Sequence, residues 1–464
     1  MSSEGRLWGG RFAAGPAASA WALGVSTDFD VALAIQDLAG SAVHATELHR
    51  LGILDDQELS RLREALSEAQ VLFTQGSFPI EDTDEDVHGA IERWLVERLG
   101  ALGGKLRAGR SRNDQVASDL RLWLRDAIDL VTGTIRDLQE AICDLAAEHL
   151  ETVAPGLTHL QRGQPVVLAH HLLAWFWMLD RDHGRFIDAR ARLNQSVLGA
   201  GAMAGVTLDV DPRTYADALG FDRVADNSMD AVSSRDFVAE FLAAAAICGT
   251  TLSRIGEEIV LWASGEFGFA TVGDEYSTGS SIMPQKRNPD VAELTRGKSG
   301  RLVGNLVGLL TVLKGLPLTY NRDLQEDKEP SFDSARTLLA VLPALTGMVA
   351  SLRFDTDRLA AAAAGGHALA TDLAEELVRR DVPFREAHEV VGRLVAQADE
   401  LGIDLAELPP DAIAAAHDAL DEDAAALLTV DQALARRNST FGTAPSSVRA
   451  QLDRARARLA SDPG

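Results

Sequence analysis

No proline occurs between Pro79 and Pro155, and inside that gap Val116, Leu120, Leu124, Ala127, Val131, Ile135, Leu138, Ile142 and Leu145 recur at steps of three or four. Proline within a helix costs about 3 kcal/mol, so prolines mark element ends. Apolar residues at this spacing line one helical face. The pattern predicts a single helix from about Asp114 to Leu150, on the order of 55 Å long at 1.5 Å per residue. A seam of that length can be buried only against helices of similar length.

Three further segments have the same character: Pro165 to about Ser196, Ser233 to Ser264, and Pro289 to about Lys314. Another helical run, Pro330 to Leu352, carries Pro343 as an expected kink. No alternation of strand and helix patterns appears, so the expected class is all-α, built on a central bundle of long helices. Shorter helices such as Asp55 to Gln75 and Thr83 to Leu99 precede the bundle. Alanine-rich helices broken at Gly365-Gly366, Pro383, Pro409-Pro410 and Pro445 follow it. The expected organisation is an N-terminal helical domain over 1–110, the central long-helix domain over 111–360, and a small C-terminal helical domain over 361–464.

Composition then excludes broad function classes. Lys and Arg number 44 against 69 Asp and Glu, a net charge of −25, which repels phosphate backbones and argues against nucleic acid as a partner. Small anionic ligands remain compatible with a local basic pocket. Cys143 and Cys248 are too few for a disulfide framework and sit in apolar surroundings, as buried thiols do in a reducing compartment. The opening MSSEGRLWGGRF lacks the apolar core of a secretory signal, and the most apolar tract, Val166 to Leu179, carries His170 and His171 and falls short of the roughly 20 residues that span a bilayer. A cytoplasmic chain with no membrane partner is expected.

Four polar loops interrupt the long helices. Residues 273–290, GDEYSTGSSIMPQKRNPD, combine glycines, paired serines, Lys286, Arg287 and Asn288 ahead of Pro289 at a helix start. They suit either a mobile surface loop with a positive end or a cradle in which backbone amides, Lys286 and a helix N-terminus stabilise an oxyanion. Residues 156–165, GLTHLQRGQP, offer a hydroxyl, an imidazole and an amide in Thr158, His159 and Gln161. Residues 107–115, RAGRSRNDQ, place Ser111, Arg112 and Asn113 at the start of the first long helix, as a plain cap or as a carboxylate clamp. Residues 319–334, TYNRDLQEDKEPSFDS, form a mixed-charge strip with Tyr320, Arg322, Gln325 and Lys328, either a solvated turn or a grip for a zwitterion. No HExxH or Cys/His spacing marks a metal site.

Taken together these strings are specific. GSSIMPQKRNPD resembles the signature of the fumarase/aspartase superfamily, whose members cleave C–N or C–O bonds beside carboxylates. SRNDQ, PGLTHLQRGQP, EDVH at 85–88, YNRDLQEDKE, GTAP at 442–445 and the LWGGRF start narrow the resemblance to the argininosuccinate lyases, over essentially the whole chain. The resemblance implies a three-domain, all-α subunit in a homotetramer with a helical core, its active sites shared by loops from three subunits. It implies reversible β-elimination of argininosuccinate to arginine and fumarate, without metal or organic cofactor.

By the same resemblance Ser280 is the base, Lys286 stabilises the doubly negative intermediate, His159 is the acid for the leaving guanidino nitrogen, and Glu293 orients His159. Substrate contacts fall on Ser26, Ser111, Arg112, Asn113, Thr158, Asn288, Tyr320, Gln325 and Lys328. Of these, Arg112, Asn113 and Asn288 face succinyl carboxylates, and Tyr320, Gln325 and Lys328 face the amino-acid end. Departures from the family pattern are Arg287 for a lysine, Gly163 for an alanine and Ser234 for an acid. Two other readings stand beside this one: a sister lyase of the adenylosuccinate lyase or aspartase type, and a catalytically silent, crystallin-like homologue.

Overall fold

A computed structural model describes residues 15–461. The LWGGRF start, residues 7–12, lies outside the described residues. Five long helices dominate: Arg112–Glu148, Leu168–Leu193, Asp236–Ala263, Asp290–Leu313 and Lys328–Ala350. All nine seam residues of the first are buried, from Val116 to Leu145, so the three-four spacing faces the interior along its whole length. The helix from Lys328 runs through Pro343 without ending there. Among the described residues, strands occur only as three two-stranded pairings, and the fold is all-α.

Residue contacts divide the chain into two units. The first holds residues up to 130 with 186–245 and 302–336; the second holds 131–185, 246–301 and 337 onward. Every boundary falls within one of the five long helices, so each helix gives one end to each unit. In the first unit, the helices Ala34–Arg50, Asp56–Thr74 and Val87–Leu99 pack Leu38, Leu48, Leu62, Leu66, Ile91 and Leu95 into a shared core. The Asp56 helix starts on a capping box: Asp55 accepts from the Glu58 amide at 2.8 Å, and Glu58 accepts from the Asp55 amide at 3.2 Å. In the second unit, residues between Leu369 and Ala433 form another apolar core. Cys143 and Cys248 are free and buried.

One segment departs from the expected pattern. Residues 156–165, expected as a loop with helix from Pro165, instead belong to an antiparallel hairpin of β1 (Val153–Thr158) and β2 (Gln161–Val167), and the helix begins at Leu168. Pro155 and Pro165 lie opposite each other, so neither strand loses a donor to an unmatched partner. The β-branched Val153, Val166 and Val167 favour the extended backbone. The base of the hairpin is fixed by GTAP: the Val167 amide donates to the buried Thr443 hydroxyl at 2.8 Å.

Candidate active site

The first unit gathers most of the carboxylate-binding candidates. Ser111 begins the Arg112 helix: its hydroxyl accepts from the Asn113 amide at 3.2 Å, while its own amide donates to Asp114 at 3.0 Å. The helix cap expected at Ser111 is present. Asp114 also accepts from the Gly199 and Gly201 amides, at 3.2 and 2.9 Å, and Asn113 donates to the Ala202 carbonyl at 3.0 Å. Residues 199–202 are thereby pinned over the helix start. Burial pushes the Asp114 carboxyl up to about 6, against the pull of the amides that donate to it.

Arg112 is held from two sides. Its Nε lies 3.2 Å from Asp86, and its Nη1 donates to Gln115 at 3.1 Å. Asp86 also caps the Val87–Leu99 helix by accepting from the Gly89 amide. Burial pushes Asp86 up, but Arg112, His88 and that amide outweigh it and hold the carboxylate below its ordinary range. Ser26 is buried; its hydroxyl donates to Asp30 at 2.6 Å and its amide to the Glu85 carbonyl at 2.9 Å. Asp30 in turn accepts from the Val87 amide, and burial pushes its carboxyl up to about 6. EDVH is thus a junction joining Ser26, Arg112 and the helix that begins at Val87.

Tyr320, Gln325 and Lys328 belong to the same unit. Thr319 adopts a left-handed φ of 71°, which turns the chain into the short helix Arg322–Asp327. Lys328 is buried and donates to Asp327 at 2.9 Å, and Asp327 also accepts from the buried Arg235. Burial raises the Tyr320 hydroxyl, whose surroundings include the charges of Arg322, Asp327, Arg235 and Asp86. Arg322 pairs with Glu85 at 2.9 Å. Sequence reading did not single out Arg235, Asp327 or Asp86, although EDVH and QEDKE contain two of them. Arg121 lies in the same region. It stacks over Phe237 at 4.0 Å and donates to Ser234. Burial, and then the charge of Arg235, pull Arg121 down to about 9.

The second unit carries the proton-transfer candidates, and all of them lie on turns. His159 and Leu160 form the two-residue turn of the β1–β2 hairpin, both with positive φ, 56° and 58°. This is the geometry of a mirror-image hairpin turn, which asparagine and glycine adopt most easily. Thr158 and His159 are exposed, and among the described residues His159 makes no hydrogen bond. Close strand approach requires glycine at 156: a β-carbon there would lie 2.6 Å from the Gln164 carbonyl oxygen.

Residues 278–288 form a second projecting turn, closed by mutual backbone hydrogen bonds of Thr278 and Asn288 at 3.1 and 2.8 Å. The Ser280 hydroxyl accepts from the Ile282 and Met283 amides at 3.4 and 3.2 Å, within a loop that also exposes Lys286. Arg287 is tied down through one nitrogen: its Nη2 donates to the Val272 carbonyl at 2.8 Å and pairs with Asp274 at 2.6 Å. Asn288 reaches Thr278 at 3.4 Å, and Glu293 faces Arg296 at 3.9 Å. No contact joins Glu293 to His159 among the described residues.

Asp37, His88 and Asp119 place ligand-type atoms within 4.8 Å of one another in the first unit. The Asp37 carboxylate accepts from His88 Nδ1 at 2.8 Å.

Comparison with known proteins gives a consistent result. A family profile described as "Lyase" matches residues 15–304, and one described as "Argininosuccinate lyase C-terminal" matches residues 367–435. An argininosuccinate lyase of Leifsonia xyli subsp. xyli is 56% identical, over 97% of this chain and 95% of its own. One of Frankia casuarinae is 55% identical, over 96% of each. Among solved structures, EDDS lyase in complex with formate matches at a TM-score of 0.85 and 32% identity, over 96% of this chain and 89% of its own.

Proposed function

The chain belongs to the argininosuccinate lyase family, and on that premise we propose that it catalyses the reversible β-elimination of argininosuccinate to arginine and fumarate. A proton leaves the carbon beside one succinyl carboxylate, and the charge spreads onto that carboxylate as an aci-carboxylate. Such a C–H is far less acidic than any side chain, so stabilising the dianion supplies most of the acceleration. Ser280 takes the proton. Lys286 and the amides of the 278–288 turn face the negative charge. His159, oriented by Glu293, protonates the departing guanidino nitrogen. Arg112, Asn113 and Asn288 hold succinyl carboxylates, with Ser26, Ser111 and Thr158 completing the contacts; Tyr320, Gln325 and Lys328 hold the amino-acid end.

The observation that carries this reading is the contrast between the two groups of residues. Ser26, Arg112 and Lys328 of the first unit are held by the buried Asp30, Gln115 and Asp327, whereas Thr158, His159 and Lys286 stand exposed on turns. A general base and an oxyanion-stabilising ammonium act best where water is excluded. The exposed turns therefore find their enclosure in an assembly, in which loops of three subunits of a homotetramer make each site. An unpartnered apolar stripe supports this: Val303, Val307 and Leu310 are exposed at helical spacing on the Asp290–Leu313 helix, with Gly304 and Gly308 open between them. The separate apolar cores within residues 34–106 and 369–433 support domain divisions near 110 and 360. The proposed location is the cytoplasm.

The test is a substrate panel followed by ultraviolet absorbance, which rises as fumarate's conjugated double bond forms. Argininosuccinate is expected to give the fastest signal; a faster one from adenylosuccinate or aspartate overturns the assignment. Ser280→Ala and His159→Asn are each expected to lower turnover about a hundredfold or more with the assembly intact, the scale of a lost acid-base group.

A further inference from the structure

Behind Arg112 lies a chain of buried polar groups that the proposed reaction does not use. Asp37 is 1% exposed and receives three side-chain donors: His88 Nδ1 on Oδ2 at 2.8 Å, and the Ser41 hydroxyl and the Gln115 amide on Oδ1 at 2.8 and 2.9 Å. Burial disfavours its charge, but His88 and Arg110 outweigh that and hold Asp37 well below the usual carboxylate range. An ionised carboxylate only accepts, so each of its partners must donate. This fixes the Gln115 side chain: its NH₂ points to Asp37, and its carbonyl is left to accept from Arg112 Nη1 at 3.1 Å. Without Asp37 in place, the amide can turn over and present NH₂ to a guanidinium that also only donates. Asp119 closes the far side, 3.5 Å from His88 Nδ1, its carboxyl pushed up by burial and then by the charge of Asp37. The Asp86 contact alone leaves Arg112 one fixed edge.

We infer that His88, Asp37 and Gln115 form a positioning relay that presets Arg112 for a substrate carboxylate. None of the three touches substrate. The relay rests on the proposed role of Arg112, and it predicts an effect on binding more than on chemistry, because a succinyl carboxylate is held in ground state and transition state alike.

The test uses the full-length assembly and three variants. Asparagine places its NH₂ where His88 Nδ1 stands, so His88→Asn keeps the donor to Asp37, while His88→Leu removes it and Gln115→Met breaks the link to Arg112. KM for argininosuccinate, and Kd for fumarate by calorimetry, are expected to rise roughly tenfold in His88→Leu and Gln115→Met, the scale of one charge-assisted hydrogen bond. The value of kcat is expected to stay within about threefold, and His88→Asn to stay near wild type in both constants. A merely structural role would lower the melting temperature without this split or this rescue. Unchanged KM in a folded Gln115→Met, or His88→Asn as impaired as His88→Leu, overturns the relay. If wild type binds fumarate but does not turn over argininosuccinate while the variants bind more weakly, the lyase reading falls and the relay stands.

Discussion

Asp327→Asn offers the most direct measure of how Lys328 and its buried surroundings are held. Asp327 and Arg235 side chains are both 0% exposed, and Lys328 is 6% exposed with its ammonium 2.9 Å from Asp327. One carboxylate is therefore the shared counter-ion of two buried cations, with a third, Arg121, close enough to feel Arg235. At an effective dielectric near 20, a charge pair at this separation is worth roughly 6 kcal/mol. Removing one member of a buried pair costs about 3–5 kcal/mol, because the remaining charge is left uncompensated. The loss in Asp327→Asn is expected in that range, a large share of the 5–15 kcal/mol typical of a folded domain. Arg235→Met should cost less, since Lys328 still neutralises Asp327. In the double variant the two losses should fall short of adding by at least about 1 kcal/mol. Urea unfolding at fixed protein concentration measures all three. Burial pushes Asp327 up, but Lys328 and Arg235 pull it below the ordinary 3.8. Its contribution is therefore present above pH 3.8 and lost as pH falls through the lower folded value, so wild type and variant should converge in acid. A loss under about 1 kcal/mol, or strictly additive losses, would refute the idea of one shared counter-ion.

Other expectations are briefer. Asp114 has the opposite sign: its folded value of about 6 lies above 3.8, so its contribution is complete below pH 3.8 and lost as pH rises through about 6. Asp114→Asn should flatten the stability profile across that window, by about 3 kcal/mol from end to end, in unfolding midpoints measured against pH. Leu160 is 58% exposed at a left-handed turn position, so Leu160→Gly should stabilise the protein by up to about 1 kcal/mol in a thermal melt. Gly156→Ala should destabilise it by about 1–3 kcal/mol, because the added carbon meets the Gln164 carbonyl across the hairpin.

The long helices were legible because their periodicity is a direct record of burial. Each seam residue from Val116 to Leu145 had to leave water, and no proline interrupts them. The β1–β2 hairpin was not legible, for reasons equally physical. Its turn is His159-Leu160 rather than Asn-Gly, its strands carry Pro155, Gly156, Gly163 and Pro165, and what holds it is pairing with a distant Thr443. Local preference there points to a loop, and tertiary contacts override it.

The site divides in the same way. Segments such as SRNDQ and EDVH are readable as motifs because several of their residues serve one local geometry, a helix start that also presents a guanidinium. Arg235 gave no such signal: its partner Asp327 lies 92 positions away, and nothing near it in sequence reveals that its charge is buried. Gln115 shows the limit most clearly. Its place in the string marked it as part of a helix start, yet its chemical meaning depends on which way its amide faces. That direction is dictated by Asp37, 78 positions distant, and behind it by His88. A sequence names the groups that can donate and accept, whereas the direction of donation in a buried chain is set by the partners that the fold brings to each member.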